Sequence, residues 1–301
     1  MNANAYFESL LSRAMPIVVD SDTALEVARN EGFKTVDIND FDFADKSSCA
    51  LMLITTYDGH AKLRNLWDIT KAKVAHLATA KFDSGAESLK YSLHKLLALD
   101  HHATLKRRAE SYGALLAKPT IQVRSSHHAL QCTLSDSVEI ANDSDDMMEG
   151  WLYSVAEFFE ASIVNISEER PSFSLEGELE FNGFIYLANN LNLKERFTGE
   201  LSELMRQASR GGNIIEFKEN VAQRIVLDNT DVTETFRSMF EGLERGLAAT
   251  EFAVGCASHP SPVDWSINSL LNESSCGVHL GIGMGQNMPH IDFISTSARI
   301  V

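Results

Sequence analysis

A continuous apolar run at residues 50–55 (ALMLIT) is the feature that most restricts the fold of this chain. A strand can be apolar at nearly every position only when both of its faces are covered, as in the centre of a parallel sheet. Residues 74–78 form a second such run, and amphipathic helical patterns alternate with strands along the first half. This alternation predicts an α/β fold with a Rossmann-like, mainly parallel sheet in an N-terminal domain.

The composition changes at residues 167–171 (SEERP), after which the pattern becomes β-rich. Residues 173–187 carry an Asn182-Gly183 pair between two strand-like segments, which predicts a β-hairpin. The sequence therefore predicts an N-terminal α/β domain at residues 1–168 and a β-rich α+β domain at residues 169–301.

Three smaller expectations concern local structure. The aromatic-rich residues 147–161 are predicted to form a helix, and residues 213–217 and 223–226 a second hairpin. The adjacent histidines His101 and His102 are predicted to lie at the surface, because paired polar residues are usually exposed.

The charge balance restricts the partners of this chain. There are 42 acidic residues against 26 Lys and Arg, a formal net charge of -16. This balance opposes binding to nucleic acids or anionic membranes, both of which need clustered positive charge. No apolar run approaches the roughly 20 residues that cross a bilayer. The four cysteines form no CxxC pair, which is typical of the reducing cytoplasm.

The last quarter of the chain holds Glu251, His279, His290 and Asp292 within apolar, strand-like segments. Ionisable side chains are costly in such segments unless they are paired or bind a metal. Side chains two apart on a strand share a face, so His290 and Asp292 are predicted to point the same way. Taken singly, His279 could be a hydrogen-bonded core histidine. Because His279, His290 and Asp292 all lie within 14 positions, a joint metal site is favoured.

Glu178, on a strand soon after the predicted boundary, is a fifth candidate ligand, although an alternating strand could also turn it to solvent. Imidazole and carboxylate groups together suit zinc, cobalt, manganese or ferrous iron. Five such ligands are enough for two ions that share a carboxylate. Two adjacent ions can polarise a carbonyl group and supply a hydroxide near neutral pH.

Four motifs of the C-terminal half resemble the aminopeptidase T family of thermophilic-type metallo-aminopeptidases. They are Gly177-Glu178, Glu251-Phe252-Ala253-Val254-Gly255, Cys276-Gly277-Val278-His279-Leu280-Gly281-Ile282-Gly283 and His290-Ile291-Asp292, in the family's order. The resemblance implies a dinuclear metal exopeptidase that acts on a peptide or another small molecule and forms a homodimer.

By the same resemblance all five residues would be metal ligands, and Glu251 would bridge the ions and assist as a base. The family's catalytic Tyr has no counterpart soon after His279, and Gln286 is the nearest polar candidate. A Gln side chain can donate a hydrogen bond to an oxyanion but cannot act as a general acid. The sequence thus predicts a metal-dependent, aminopeptidase-like hydrolase with Glu251 and Gln286 as catalytic candidates.

Two alternatives remain at this point. The aminopeptidase T family is related in fold to the 2,5-dihydroxypyridine dioxygenases, in which two His and one Asp hold a single iron. His279, His290 and Asp292 could form such a triad around Fe(II). The other alternative is a non-catalytic relative that binds a peptide during peptide maturation.

Overall fold

The structure is a computed structural model that describes residues 1–67, 69–167, 169–243, 245–285 and 287–301. Its helices are α1 (Ala3–Leu11), α2 (Asp22–Asn30), α3 (Tyr57–Leu66), α4 (Ala86–Leu97), α5 (His101–Leu116), α6 (Leu191–Ala208), α7 (Thr233–Met239) and α8 (Leu270–Glu273). Short 3₁₀ helices occur at Thr79–Lys81 and Ala156–Phe158. Among the helices of these described ranges, none is both long enough and apolar enough to cross a membrane.

The strands are distributed over three sheets. They are β1 (Ile17–Val19), β2 (Thr35–Asp37), β3 (Cys49–Leu53), β4 (Lys73–Leu77), β5 (Thr120–Ser125), β6 (His128–Leu134), β7 (Glu139–Ile140), β8 (Leu152–Ser154), β9 (Glu160–Val164), β10 (Phe173–Phe181), β11 (Gly183–Leu187), β12 (Asn213–Lys218), β13 (Val221–Leu227), β14 (Thr230–Asp231), β15 (Ala249–Gly255), β16 (Gly277–Ile282), β17 (His290–Ser295) and β18 (Arg299–Ile300).

The first sheet is parallel and has the strand order β2-β1-β3-β4-β8. Its central strand β3 alternates between two apolar layers. Leu51 and Leu53 pack with residues of α1 and α4, whereas Ala50 and Met52 pack with Leu63 of α3. This double coverage explains the continuous apolar run. The predicted parallel sheet of the first half is confirmed.

The other two sheets are antiparallel and pack face to face. The seven-stranded sheet has the order β14-β13-β12-β10-β6-β5-β18, and the six-stranded sheet has the order β11-β17-β16-β15-β9-β7. Leu175 and Leu179 of the former share one apolar core with Phe252 and Leu280 of the latter. The opposite face of the six-stranded sheet meets the parallel layer, where Ile294 joins the core of α1 and α4. That face is therefore enclosed between two layers.

Strand pairing joins segments from both sides of residue 168. β5, β6 and β9 precede this residue, yet they pair with β18, β10 and β15 respectively. β8 returns between them to the edge of the parallel sheet. The division into residues 1–168 and 169–301 stays a prediction, and the sheets themselves are shared across it.

The hairpin predicted for residues 173–187 is wrong, because β10 and β11 belong to different antiparallel sheets. The chain changes sheet at Asn182, whose side-chain oxygen accepts hydrogen bonds from the backbone N–H of Thr296 (2.7 Å) and from its hydroxyl (2.8 Å). At the next residue, a Cβ on Gly183 would lie 2.6 Å from the ring of Trp265. Tertiary contacts thus direct the second strand away from the first. The hairpin predicted at residues 213–226 is confirmed as β12 and β13.

The helix predicted for residues 147–161 is also wrong. This segment contains β8, the short 3₁₀ helix Ala156–Phe158 and the start of β9. Tyr153, Phe158 and Phe159 are buried in the core that joins the parallel sheet to its helices. The apolar side chains are covered by two different sheets rather than by one helix face, so an extended path buries them better.

His101 departs from the surface position predicted for it, whereas His102 is exposed as predicted. The His101 side chain is only 4% exposed and stacks on Phe7, with ring centroids 4.4 Å apart and an interplanar angle of 14°. Burial lowers the pKa of His101 to about 4. The folded protein therefore holds a neutral imidazole at a pH where the unfolded chain, with a histidine pKa of about 6.5, already binds a proton.

This pKa difference predicts a loss of stability as the pH falls from about 6.5 towards 4, because only the unfolded state gains the proton in that window. Between pH 7.5 and pH 5 the contribution of His101 is about 2 kcal/mol. His101→Phe keeps a ring stacked on Phe7. We expect its free energy of unfolding to fall by about 2 kcal/mol less than that of the unaltered protein between pH 7.5 and pH 5. Urea unfolding of both proteins at the two pH values measures it, and equal pH dependence would contradict the assignment.

Candidate metal centre

The enclosed face of the six-stranded sheet carries a cluster of ionisable side chains. Glu251 of β15 and Asp292 of β17 both lie opposite Gly281 of β16 in the ladder. Directly opposed residues share a face, and so do residues two apart on one strand. His279 and His290 therefore point to the same face as Glu251 and Asp292. The strand alternation by itself brings these four predicted residues together.

The first group consists of Glu251, His290 and Asp292, whose ligand atoms all lie within 4.8 Å of one another. His290 Nε2 is 3.1 Å from Glu251 Oε2 and 2.9 Å from Asp292 Oδ1. The other ring nitrogen, Nδ1, is 2.6 Å from the carbonyl oxygen of Gly283. A carbonyl only accepts hydrogen bonds, so Nδ1 carries the proton, and in the neutral ring the Nε2 lone pair faces the two carboxylates. This is the orientation that a metal-binding imidazole requires.

The second group consists of Glu160, Glu273 and His279, which are all buried and meet the same 4.8 Å limit. Glu160 begins β9, and Glu273 ends the short helix α8 that precedes β16. His279 Nε2 is 3.9 Å from Glu160 Oε2. The group combines the imidazole of one strand with carboxylates from a neighbouring strand and a covering helix.

Glu251 lies between the two groups. Its Oε2 is 3.1 Å from His290 Nε2, and its Oε1 is 3.8 Å from His279 Nε2. The hydroxyl of Ser162, on β9, donates a hydrogen bond to Oε1 and holds the carboxylate in place. One oxygen of the same carboxylate thus faces each histidine, which is the arrangement of a carboxylate that bridges two cations.

Several polar atoms of this cluster are buried without a hydrogen-bond partner in the part of the chain that the structure describes. They include Oε2 of Glu160, Oδ2 of Asp292 and both ring nitrogens of His279. Buried polar atoms are nearly always satisfied in folded proteins, and leaving them unsatisfied is costly. Divalent cations would satisfy them, so the residues fit a metal centre.

The protonation equilibria of the cluster agree with this fit. Burial, reinforced by neighbouring carboxylates, raises the pKa of Glu160 well above its usual range and that of Glu273 to about 8. Burial also opposes the charge of Glu251, but its contacts with His279 and His290 outweigh that effect and hold its pKa well below the usual range. In the metal-free protein, bound protons must therefore neutralise part of this negative charge. A metal ion would displace those protons and neutralise the carboxylates in their place.

A cavity of about 210 Å³ adjoins the cluster and gives it access to small molecules. Glu160, Glu251, Glu273 and His290 line it on one side. The parallel layer supplies the opposite wall through residues that follow β4 and β8. The cluster is thus placed where side chains from the parallel sheet and from the six-stranded sheet meet.

The structure does not bring Glu178 to this cluster. Its carboxylate lies 2.7 Å from His128 Nδ1 in the seven-stranded sheet, where Glu178 is opposite Glu216. Within β10, Leu175 and Leu179 point into the core, so alternation turns Glu178 to the outer face. The candidate Gln286 lies outside the described residues.

The cluster contains two acids that the sequence reading missed. Glu160 begins an apolar strand, and an acid at that position could have indicated a buried ligand. The helix predicted for residues 147–161 concealed this strand. Glu273 follows the buried pair Leu270 and Leu271 after one intervening residue, Asn272, and precedes the His279 strand by a few residues. An acid placed between an apolar pair and a predicted ligand strand is the signal that could have identified it.

The fold has known counterparts. The chain is similar to the structure of 2,5-dihydroxypyridine dioxygenase from Pseudomonas putida KT2440, with a TM-score of 0.53 and 12% identity over 99% of this chain and 93% of that one. It is also similar to wild-type AmpT from Thermus thermophilus, with a TM-score of 0.49 and 11% identity over 99% and 97% of the two chains. At 12% identity the likeness to the dioxygenase structure concerns the fold alone.

Sequence families give a more specific result. No curated protein matches the chain. A family model described as "Crocagin biosynthetic protein CgnE/B" matches residues 12–301, which is nearly the whole sequence. The chain therefore belongs to the crocagin biosynthetic protein CgnE/B family.

Proposed function

We propose that this chain is an aminopeptidase-like hydrolase with a two-metal centre, which acts on a peptide or small amide in the biosynthesis of a crocagin-like product. The observation that supports it best is the position of Glu251 between two separate ligand groups. The description of the family supports the biosynthetic context. The hydrolytic reaction is inferred from the residues of the centre.

In this proposal Glu251, His290 and Asp292 would hold one ion, and Glu160, Glu273 and His279 would hold the other, with Glu251 placed to serve both. Metal ions bound there would supply Lewis acidity towards a carbonyl group and a hydroxide nucleophile near neutral pH. Zinc, cobalt and manganese all suit this mixture of imidazole and carboxylate ligands.

The chain's own groups prepare the centre for this chemistry. The Gly283 carbonyl fixes the His290 ring in one tautomer, and the Ser162 hydroxyl orients Glu251. The low pKa of Glu251 keeps its carboxylate ionised at neutral pH, where it can bind cations. The surrounding layers limit the water around the ligands, which strengthens their electrostatic interactions.

The one-iron alternative requires His279, His290 and Asp292 to act as a single triad. In the described residues His279 is grouped instead with Glu160 and Glu273. Each group of three holds one histidine and two carboxylates, which supports two ions rather than one. The dioxygenase reaction and the non-catalytic peptide-binding role are therefore outcomes of the activity test rather than competing proposals.

Amino-acid release from short peptides with a free N-terminus tests the proposed reaction. Protein loaded with zinc, cobalt or manganese should release N-terminal residues, and N-acetylated peptides should not be cleaved. His290→Ala should lose both metal and activity. Oxygen uptake with 2,5-dihydroxypyridine by iron-loaded protein, without peptide cleavage, would contradict the proposal. Peptide binding without cleavage under any metal would also contradict it.

A further inference from the structure

Lys81 occupies the wall of the metal cavity opposite the ligand groups. It ends the 3₁₀ helix Thr79–Lys81, just after β4, and lines the cavity together with Glu157, Glu273 and His290. Ligands of open α/β sheets commonly bind at this end of parallel strands. The backbone of Lys81 is held in place, because its carbonyl accepts a hydrogen bond from the N–H of Ala188 (2.9 Å).

The ammonium group of Lys81 has no hydrogen bond or ion pair to the residues that the structure describes. Other partly covered lysines do have such partners. Lys95 Nζ donates to the carbonyls of Ser261 (3.0 Å) and Pro262 (2.9 Å), and Lys194 Nζ donates to the carbonyl of Ala80 (2.9 Å). Lys81 is only partly exposed, and a cation at a cavity wall without a direct partner is available to bind an anionic group of a ligand.

The neighbouring acids do not take the role of that partner. Glu157 accepts a hydrogen bond from the N–H of Ser154 (3.0 Å), and burial raises its pKa to about 7. Burial lowers the pKa of Lys81, while the charges of Glu273 and Glu157 act in the opposite direction. The ammonium is thus influenced by these carboxylates without being bound by either.

Charge balance indicates what kind of ligand this ammonium would bind. The carboxylates of Glu160, Glu251, Glu273 and Asp292 would together be balanced by two divalent cations. Glu157, with a pKa raised by burial to about 7, carries only part of a negative charge at neutral pH, so positive charge of Lys81 remains in the cavity for an anionic group of the ligand. A cavity of about 210 Å³ is below the range of roughly 300–1,000 Å³ usual for drug-sized ligands, so the ligand, or the part of it that enters, is small.

We propose that Lys81 binds a substrate carboxylate and that the centre therefore prefers small peptides with a free carboxylate, such as dipeptides. The proposal rests on the proposed function, because it places the amide of the same substrate at the metal ligands. In it Lys81 determines substrate specificity, whereas the ligand groups carry the reaction. A charge-assisted hydrogen bond between ammonium and carboxylate is stronger than one to a neutral amide.

Calorimetry with two non-hydrolysable ligands tests this inference on zinc-loaded protein. Both are dipeptide analogues with a phosphinate in place of the scissile amide, one ending in a carboxylate and the other in a carboxamide. We expect the unaltered protein to bind the carboxylate form at least about tenfold more tightly. Lys81→Met should bind both forms equally. The control Lys90→Met removes an exposed charge on α4 and should keep the preference.

Metal content and thermal unfolding complete the test. Lys81→Met should bind the same number of zinc ions per chain as the unaltered protein. Its metal-free form should unfold at the same or a higher temperature, because a cation without a direct partner has been removed. Equal binding of both analogues by the unaltered protein, alongside peptide hydrolysis, would overturn the role of Lys81 and leave the proposed function standing. A chain that binds no zinc would overturn both.

Discussion

Glu251→Gln is expected to weaken the binding of both metal ions together. The carboxylate of Glu251 faces His290 with one oxygen and His279 with the other, so a single substitution affects both ligand groups. The amide of Gln keeps the size and can still accept a hydrogen bond from Ser162, but it lacks the charge that binds cations. Loss of an outer hydrogen-bond partner alone costs 10- to 100-fold in metal affinity, so we expect at least about 100-fold here.

Metal titration followed by calorimetry measures this effect, and Glu178→Gln is the matched control. Glu178 was also a candidate ligand in the sequence, yet its carboxylate pairs with His128 in another sheet. The control should therefore bind two ions with unchanged affinity. If Glu251→Gln kept both ions, or if Glu178→Gln lost one, the assignment of the bridging carboxylate would be wrong.

Gly281→Ala is expected to disrupt the same centre without removing any ligand. A Cβ at Gly281 would lie 2.6 Å from Cε1 of His290, 2.8 Å from Cβ of Glu251 and 2.9 Å from Oδ1 of Asp292. Carbon atoms pack favourably only at about 3.5–4.0 Å, so the three ligand side chains must move. Overpacking of this kind costs about 1–3 kcal/mol of stability. The displaced ligands should also lose their metal affinity.

Denaturant unfolding of the metal-free protein and metal titration separate these two effects. The matched control is Gly199→Ala, in the exposed interior of α6, where an added Cβ meets no atom within 4 Å. Alanine is the better helix former, so the control should gain about 0.5–1 kcal/mol and keep its metal. Unchanged metal binding in Gly281→Ala would show that the three ligand side chains do not meet around Gly281 as described.

Periodicity along single strands was the part of the structure most accessible from the sequence. The run at residues 50–55 predicts a strand covered on both faces, and β3 is covered in that way. The two-residue spacing of His290 and Asp292 predicts a shared face, and both side chains lie in one ligand group. Both predictions need only the alternation of side chains along a strand.

Features that depend on contacts between distant segments could not be read in the same way. Asn182-Gly183 has the composition of a hairpin turn, but Thr296 and Trp265, more than 80 residues later, direct the chain into a second sheet. Glu160 was missed because its segment is apolar enough for either a helix or a strand, and only its partner strands decide between them. Local pattern carries no information about such partners.

Glu178 shows a different kind of error. The alternation of its strand, with Leu175 and Leu179 facing the core, already indicated an outward side chain. Resemblance to a family motif favoured a ligand role over that physical pattern. The structure agrees with the pattern, so alternation would have been the better guide at this residue.

The number and position of bound metal ions test the central claim most directly. Protein equilibrated with zinc and freed of excess should contain two ions per chain by elemental analysis. Anomalous X-ray scattering should place them on either side of the Glu251 carboxylate, one near His290 and the other near His279. A single iron held by His279, His290 and Asp292, or a chain that takes up no metal, would contradict the two-metal centre.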